Sequence, residues 1–175
     1  NFTCMNENFL IIEKETKEEF EQIANVLFNK FAIVNHKSTF RIVEIEFYWN
    51  SKKHPDKSTY ERKYVDPKQG EWFFHYSGVD IALKNEKTGG YGGVLIRGIY
   101  DIIEKKKYSG PMICTMKLFS GTSAFNESIK TKLIDYSFKE CEIKTKPRKN
   151  LGENAKESGT DKLNYNFYIE SYDIR

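Results

Sequence analysis

Cysteine, histidine and proline are scarce in this 175-residue chain, which carries three, three and four of them. Cys4, Cys114 and Cys141 are an odd number at wide spacing, so they suggest neither a disulfide framework nor a four-thiolate metal site, and a reducing, cytoplasmic setting fits. His36, His54 and His75 fall at no metal-ligand spacing, and His54-Pro55-Asp56, the best candidate, is weak. No metal and no cofactor are implied. No stretch approaches the ~20 apolar residues of a membrane span, and the amino terminus lacks the basic region and apolar run of a signal peptide. A soluble protein without a membrane partner is expected. Met5 reads as the natural start, with Asn1 to Cys4 a remnant ahead of it. Residues 1–15 read as an N-terminal extension of one domain over 16–175.

Charge of one sign is also modest: 28 Lys and Arg against 25 Asp and Glu leave a net +3. That balance permits a polyanionic partner without demanding one. Aromatic residues are plentiful at 15% of the chain, and such rings serve equally as core filler, interface anchors or platforms for stacked bases. A chain of this length buries a sizeable single core.

Thr16-Lys17-Glu18-Glu19 reads as a capping box, and Phe20, Ile23, Ala24, Leu27, Phe28 and Phe31 follow at helical spacing, which predicts a helix over about 17–31. Phe40 to Trp49 alternates, with Val43, Ile45 and Phe47 on one face and Ile42, Glu44, Glu46 and Tyr48 on the other, as a strand requires. Residues 50–69 form a long polar loop, and loops of that length in a compact domain are often functional. Strands are predicted over about 71–76, 79–83 and 94–99, with the glycine-rich segment 84–93 as the turn into the last. That cluster lacks the lysine and spacing of a phosphate-binding loop. A short helix is predicted over 126–136, and strands over 138–144 and 163–172. They flank a basic loop, Lys144 to Lys162, with six Lys or Arg against three Asp or Glu.

A carboxylate inside an apolar strand needs a reason, because an unpaired buried charge costs several kcal/mol or shifts its pKa instead. Glu44 and Glu46 share one face, so one can be paired while the other is poised as a base. Arg97, in Val94-Leu95-Ile96-Arg97-Gly98-Ile99, is a cation that an adjacent strand can bring to either glutamate; the alternative is a purely structural buried ion pair. The aromatic run Trp72 to Tyr76 is either ordinary core or the wall of a pocket for a planar ring.

In order and spacing, three segments resemble the methylpurine (alkyladenine) DNA glycosylases. Arg41-Ile42-Val43-Glu44-Ile45-Glu46-Phe47-Tyr48 is similar to that family's Val-Glu-Thr-Glu-Ala-Tyr strand, Gly70 to Asn85 to its aromatic strand, and Gly93-Val94-Leu95-Ile96-Arg97 to its Val-Leu-Ile-Arg-Ala strand. More weakly, Gly110-Pro111 stands where a Gly-Pro opens a helix, Pro147-Arg148 where a Pro-Arg-Ile-Gly loop lies, and Asn166-Phe167-Tyr168 where the last strand falls. The resemblance implies an α+β fold with a curved, mostly antiparallel sheet and a few helices, like that family and the formyltransferase C-terminal domain. It assigns Glu46 to activating the attacking water, Arg97 to orienting it, and Tyr48 to stacking on an extruded base. The family's loop histidine corresponds to Tyr60, its second stacking tyrosine to Phe74 or His75, and its intercalating tyrosine to Ser77 or, with a one-residue slip, Tyr76. A serine cannot fill a base-sized gap.

The activity so implied is metal-free hydrolysis of the N-glycosidic bond of a flipped, modified or damaged base, with DNA as the foremost partner. Lys146, Arg148 and Lys149 of the basic loop are the expected nucleic-acid contacts. The alternatives are a non-catalytic nucleic-acid-binding or interaction module on the same scaffold, or a glycosidase acting on a free nucleoside.

Overall fold

Thr16 caps the first helix, α1 (Lys17–Lys30), through its hydroxyl, which accepts from the Glu19 amide at 3.3 Å. The computed structural model describes residues 7–125 and 129–172, an α+β domain built on one curved, mostly antiparallel sheet with a few helices. The Glu19 carboxylate in turn accepts from the amides of Glu13, Lys14 and Glu15, which fastens the preceding segment to the helix. Residues 7–15, set apart above as an extension, carry Leu10 and Ile12 into the core at 2% and 1% exposure.

The strands are β1 (Phe31–Val34), β2 (Thr39–Asn50), β3 (Trp72–His75), β4 (Gly78–Asn85), β5 (Gly90–Asp101), β6 (Lys106–Ser109), β7 (Lys132–Asp135), β8 (Lys144–Lys146) and β9 (Asn166–Tyr168). Their order is β3-β4-β5-β2-β1-β7, with β6 beside β5, β9 beside β2 and β8 beside β9. The sheet curls far enough that Trp72 of β3, at one end of this order, donates its indole N–H to the Thr131 carbonyl next to β7, at the other end. Two further helices, α2 (Pro111–Leu118) and α3 (Glu153–Ser158), lie in the connections.

Alternation along β2 divides the sheet into two chemistries. Ile45, Phe47 and Trp49 enter the core, and the Phe47 ring stacks on Phe20 of α1 at 4.9 Å. Glu44, Glu46 and Tyr48 take the opposite face, as period-two geometry dictates. Irregularities on both sides of Glu44 interrupt the register with β5, skipping Val43 on one strand and Arg97 on the other, and such bulges re-aim side chains.

Three expectations need correction. Residues 126–128 of the anticipated helix lie outside the described residues, but Lys132 to Asp135 form a strand: pairing with β1 outweighs a short helical pattern. The glycine segment is mostly strand, the turn being Glu86–Gly89 with Gly89 at φ +68. Gly90 and Gly93 lack Cβ atoms because the Trp49 ring and the Asp80 carboxylate fill that space. No strand forms over 138–143, β8 beginning only at Lys144; the strand expected over 163–172 shrinks to β9, and α3 stands inside the basic loop.

Candidate active site on the polar face of the sheet

Antiparallel pairing sets Glu46 opposite Leu95 and Glu44 opposite Gly98, so Arg97 rises between the two carboxylates. Its Nη1 lies 3.4 Å from Glu46 Oε2 and its Nε 3.8 Å from Glu44 Oε1. That Nε–H is buried and has no hydrogen-bond acceptor. Gly98 permits the close approach: a Cβ there would stand 2.9 Å from the Glu44 Cβ.

Glu46 is wholly buried, and its burial is compensated by donors. Oε2 accepts from the Tyr48 hydroxyl at 2.8 Å and from Arg97, while Oε1 accepts from the Asn166 amide group at 3.0 Å and the Lys149 backbone N–H at 2.9 Å. Four donors match the four lone-pair sites of a carboxylate. Glu44 accepts from the same Asn166 amide at 2.9 Å. Burial would raise its carboxyl pKa, but the Asn166 hydrogen bond and the charges of Lys146, Arg97 and Lys149 outweigh that and hold it below the usual range. Burial, joined by the neighbouring Glu46 carboxylate, pushes the Tyr48 hydroxyl well above its ordinary pKa. It therefore stays protonated and donates a hydrogen bond to Glu46.

The basic loop does not present its three cations together. Arg148 is fully buried, 2.6 Å from an equally buried Asp56, and donates to the carbonyls of Phe47 and Thr160. Its guanidinium also covers one face of the Tyr48 ring at 4.6 Å. It thus ties the 50–69 loop to the 144–162 loop and is not at the surface as a phosphate contact. Lys146 lies 3.4 Å from Glu44 Oε1 and 4.0 Å above the Tyr168 ring, and Lys149 has an exposed side chain.

Across β5 the polar face continues to Asp80, which shares a cross-strand row with Glu46 and Leu95. Asp80 Oδ1 is 2.8 Å from His75 Nε2, and both side chains are buried. The Ser77 amide donates to His75 Nδ1 at 3.2 Å, so the geometry assigns the ring proton to Nε2. The Tyr60 ring lies against His75, tilted by 30° at 4.4 Å between centroids, and its hydroxyl lies 2.8 Å from the Ser77 hydroxyl. Tyr60, His75 and Ser77 therefore meet. Phe74 faces the other way and packs on Phe119 at 4.7 Å. Ser77 turns inward at the two-residue hairpin tip, while its neighbour Tyr76 projects with 90% exposure. Arg62 closes this end, 4.1 Å over the Phe73 ring, and donates to the Gly92 carbonyl.

Beside this face, the 57–65 loop and strand β3 enclose an open cleft of about 630 Å³, lined by Lys57, Tyr60, Lys63, Tyr64, Phe74 and Tyr76 among others. Neither Glu46 nor Tyr48 lines it. The proposed base-pocket residues thus divide between two places, Tyr48 at the glutamates and the rest at the cleft or behind it.

Asp80, Asn166 and Arg62 were missed from the sequence. Asp80 in Val79-Asp80-Ile81-Ala82-Leu83 carried the signal that singled out Glu46, a carboxylate in an apolar strand. Asn166 and Arg62 carried none, since only the pairing of β9 with β2 and the loop's path bring them in. Among the described residues, no three His, Cys, Asp or Glu side chains gather as a metal-binding group, and no helix is long and apolar enough to cross a membrane. Burial pushes the Cys114 thiol up to about 12.

No protein-family model matches the chain, and no solved structure matches it. It is similar to an uncharacterized protein, L759, of Acanthamoeba polyphaga mimivirus, with 31% identity over 127 residues, covering 58% of this chain and 57% of that protein. The chain thus spans a little over half the length of the curated relative it matches.

Proposed function

We propose that this polar face is the reaction centre of an N-glycosylase of the methylpurine DNA glycosylase type, on that family's fold, releasing a modified or damaged base from nucleic acid, DNA foremost. The observation behind the reading is the buried Glu46 carboxylate with the Arg97 guanidinium 3.4 Å away and an Arg97 Nε–H that has no acceptor. In the reaction a water takes the place of one of the four donors that hold Glu46 and gives its proton to the carboxylate as its oxygen attacks the anomeric carbon. The C1′–N bond breaks, and its electron pair leaves with the base. The Glu44 carboxylate, which stays ionised, offsets the positive charge that develops on the sugar. Tyr48 forms the near wall of the site, with Tyr60, His75 and Ser77 beyond it, while Phe74 turns away to Phe119.

The test is a panel of oligonucleotides carrying single modified bases, scored for abasic sites, with the corresponding free nucleosides in parallel. Release by wild type and none by Glu46→Gln supports the reading. Equal release by both removes Glu46 from the base role, and release from nucleosides alone selects the nucleoside enzyme. A second reading, a non-catalytic nucleic-acid-binding module, is favoured by one observation: every acceptor direction of Glu46 is occupied and Arg148 lies over Tyr48. Nucleic-acid binding without base release on any substrate selects it.

A further inference from the structure

We infer that the cleft between the 57–65 loop and β3 binds unpaired nucleotides, so that the protein takes a single strand in preference to a duplex. This rests on the nucleic-acid reading above and narrows it.

The residues around the cleft combine ring faces with ammonium groups. Tyr64 and Tyr76 are 88% and 90% exposed, and Phe74 is 47% exposed. Apolar rings this exposed and this close together are uncommon on a surface with no binding role. Lys57 and Lys63 stand at the same cleft, and Glu61 is its one acidic lining residue. A nucleotide unit offers the complement of both: a π-face for a ring and a phosphate for an ammonium. Duplex bases are stacked on each other and withhold their faces, whereas unpaired bases offer them.

The polar groups nearby argue against a hydrogen-bonding pocket that reads one base. Both ring nitrogens of His75 are engaged, by Asp80 and by the Ser77 amide, and the Tyr60 and Ser77 hydroxyls are 2.8 Å apart. What remains free is mainly stacking surface and charge, which grip a strand without choosing its sequence. Glu46 does not line the cleft, so a nucleotide held there is a neighbour of the reacting one.

The experiment measures fluorescence anisotropy of end-labelled oligothymidylate and oligouridylate of about twelve nucleotides, and of a duplex of equal length, titrated with the full chain. Wild type is expected to bind the single strands more tightly than the duplex. Tyr64→Ala and Tyr76→Ala, at positions too exposed to disturb the core, should each weaken single-strand binding by about 5- to 100-fold. Lys57→Gln with Lys63→Gln should flatten the salt dependence by about 0.7 in log–log slope for each phosphate left without its lysine. The two homopolymers distinguish DNA from RNA. Duplex binding as tight or tighter, no saturable binding of either strand, or ring variants that bind as wild type would each overturn the inference. None of these readouts involves base release: binding that survives in a protein with no glycosylase activity rejects only the catalytic reading. Base release that persists when the cleft variants bind normally rejects only the cleft.

Discussion

Removing the Arg148 guanidinium by Arg148→Met is the most demanding perturbation of this architecture. The pair it forms with Asp56 is 2.6 Å long, and both side chains are fully buried. Breaking a buried pair from one side leaves an uncompensated charge, at a cost of about 3–5 kcal/mol. The carbonyls of Phe47 and Thr160 lose their guanidinium donor in the same step, so the upper part of that range is expected. For a chain of this size, about 2–4 °C of melting temperature per kcal/mol places the fall at roughly 6–20 °C. Arg148→Met combined with Asp56→Leu should recover part of the loss, because the stranded carboxylate is then gone. Urea unfolding of wild type, both single variants and the double variant closes the cycle. A loss below about 1 kcal/mol for Arg148→Met, or no coupling between the two positions, would refute the buried clamp.

Three further outcomes follow from the site. Glu44 has a lowered carboxyl pKa in the fold, so its contribution to stability is present above the unfolded value near 4.5 and is lost as pH falls through the lower folded value. Stability measured between about pH 6 and 3 should therefore decline less steeply in Glu44→Gln than in wild type, and identical slopes would contradict the Asn166, Lys146 and Arg97 contacts. Arg97→Lys keeps the charge but not the planar fork; single-turnover base release should fall about 10²-fold with little change in melting temperature, and equal rates would remove Arg97 from the reaction. Lys146→Ala with Lys149→Ala should reduce the salt slope of nucleic-acid binding by about 0.7–0.9 for each phosphate no longer neutralised, and an unchanged slope would leave both lysines as solvated surface.

How much of this was legible in the chain depends on the range of the interaction. The Thr16 cap, the α1 pattern and the alternation of β2 are local, written within a few residues, and they reappear where the periodicity placed them. The meeting of Arg97 with the two glutamates was foreseeable as a possibility, because apolar strands tolerate charge only in pairs. Its geometry was not, since the paired irregularities at Val43 and Arg97 in the β2–β5 register fix it.

Composition put Arg148 among the surface lysines of a basic loop; packing put it inside, because Asp56, distant in sequence, supplies the counter-charge that makes burial tolerable. The glycine cluster looked like a turn because glycine's need for space is visible only when the Trp49 ring and Asp80 arrive from other strands. By itself the sequence determined the class of fold, the first helix and the polar face of its central strand, all set by short-range periodicity and capping. The tertiary structure alone decided which charges are buried together and which rings stay open to solvent, because burial is a property of partners that lie far apart along the chain.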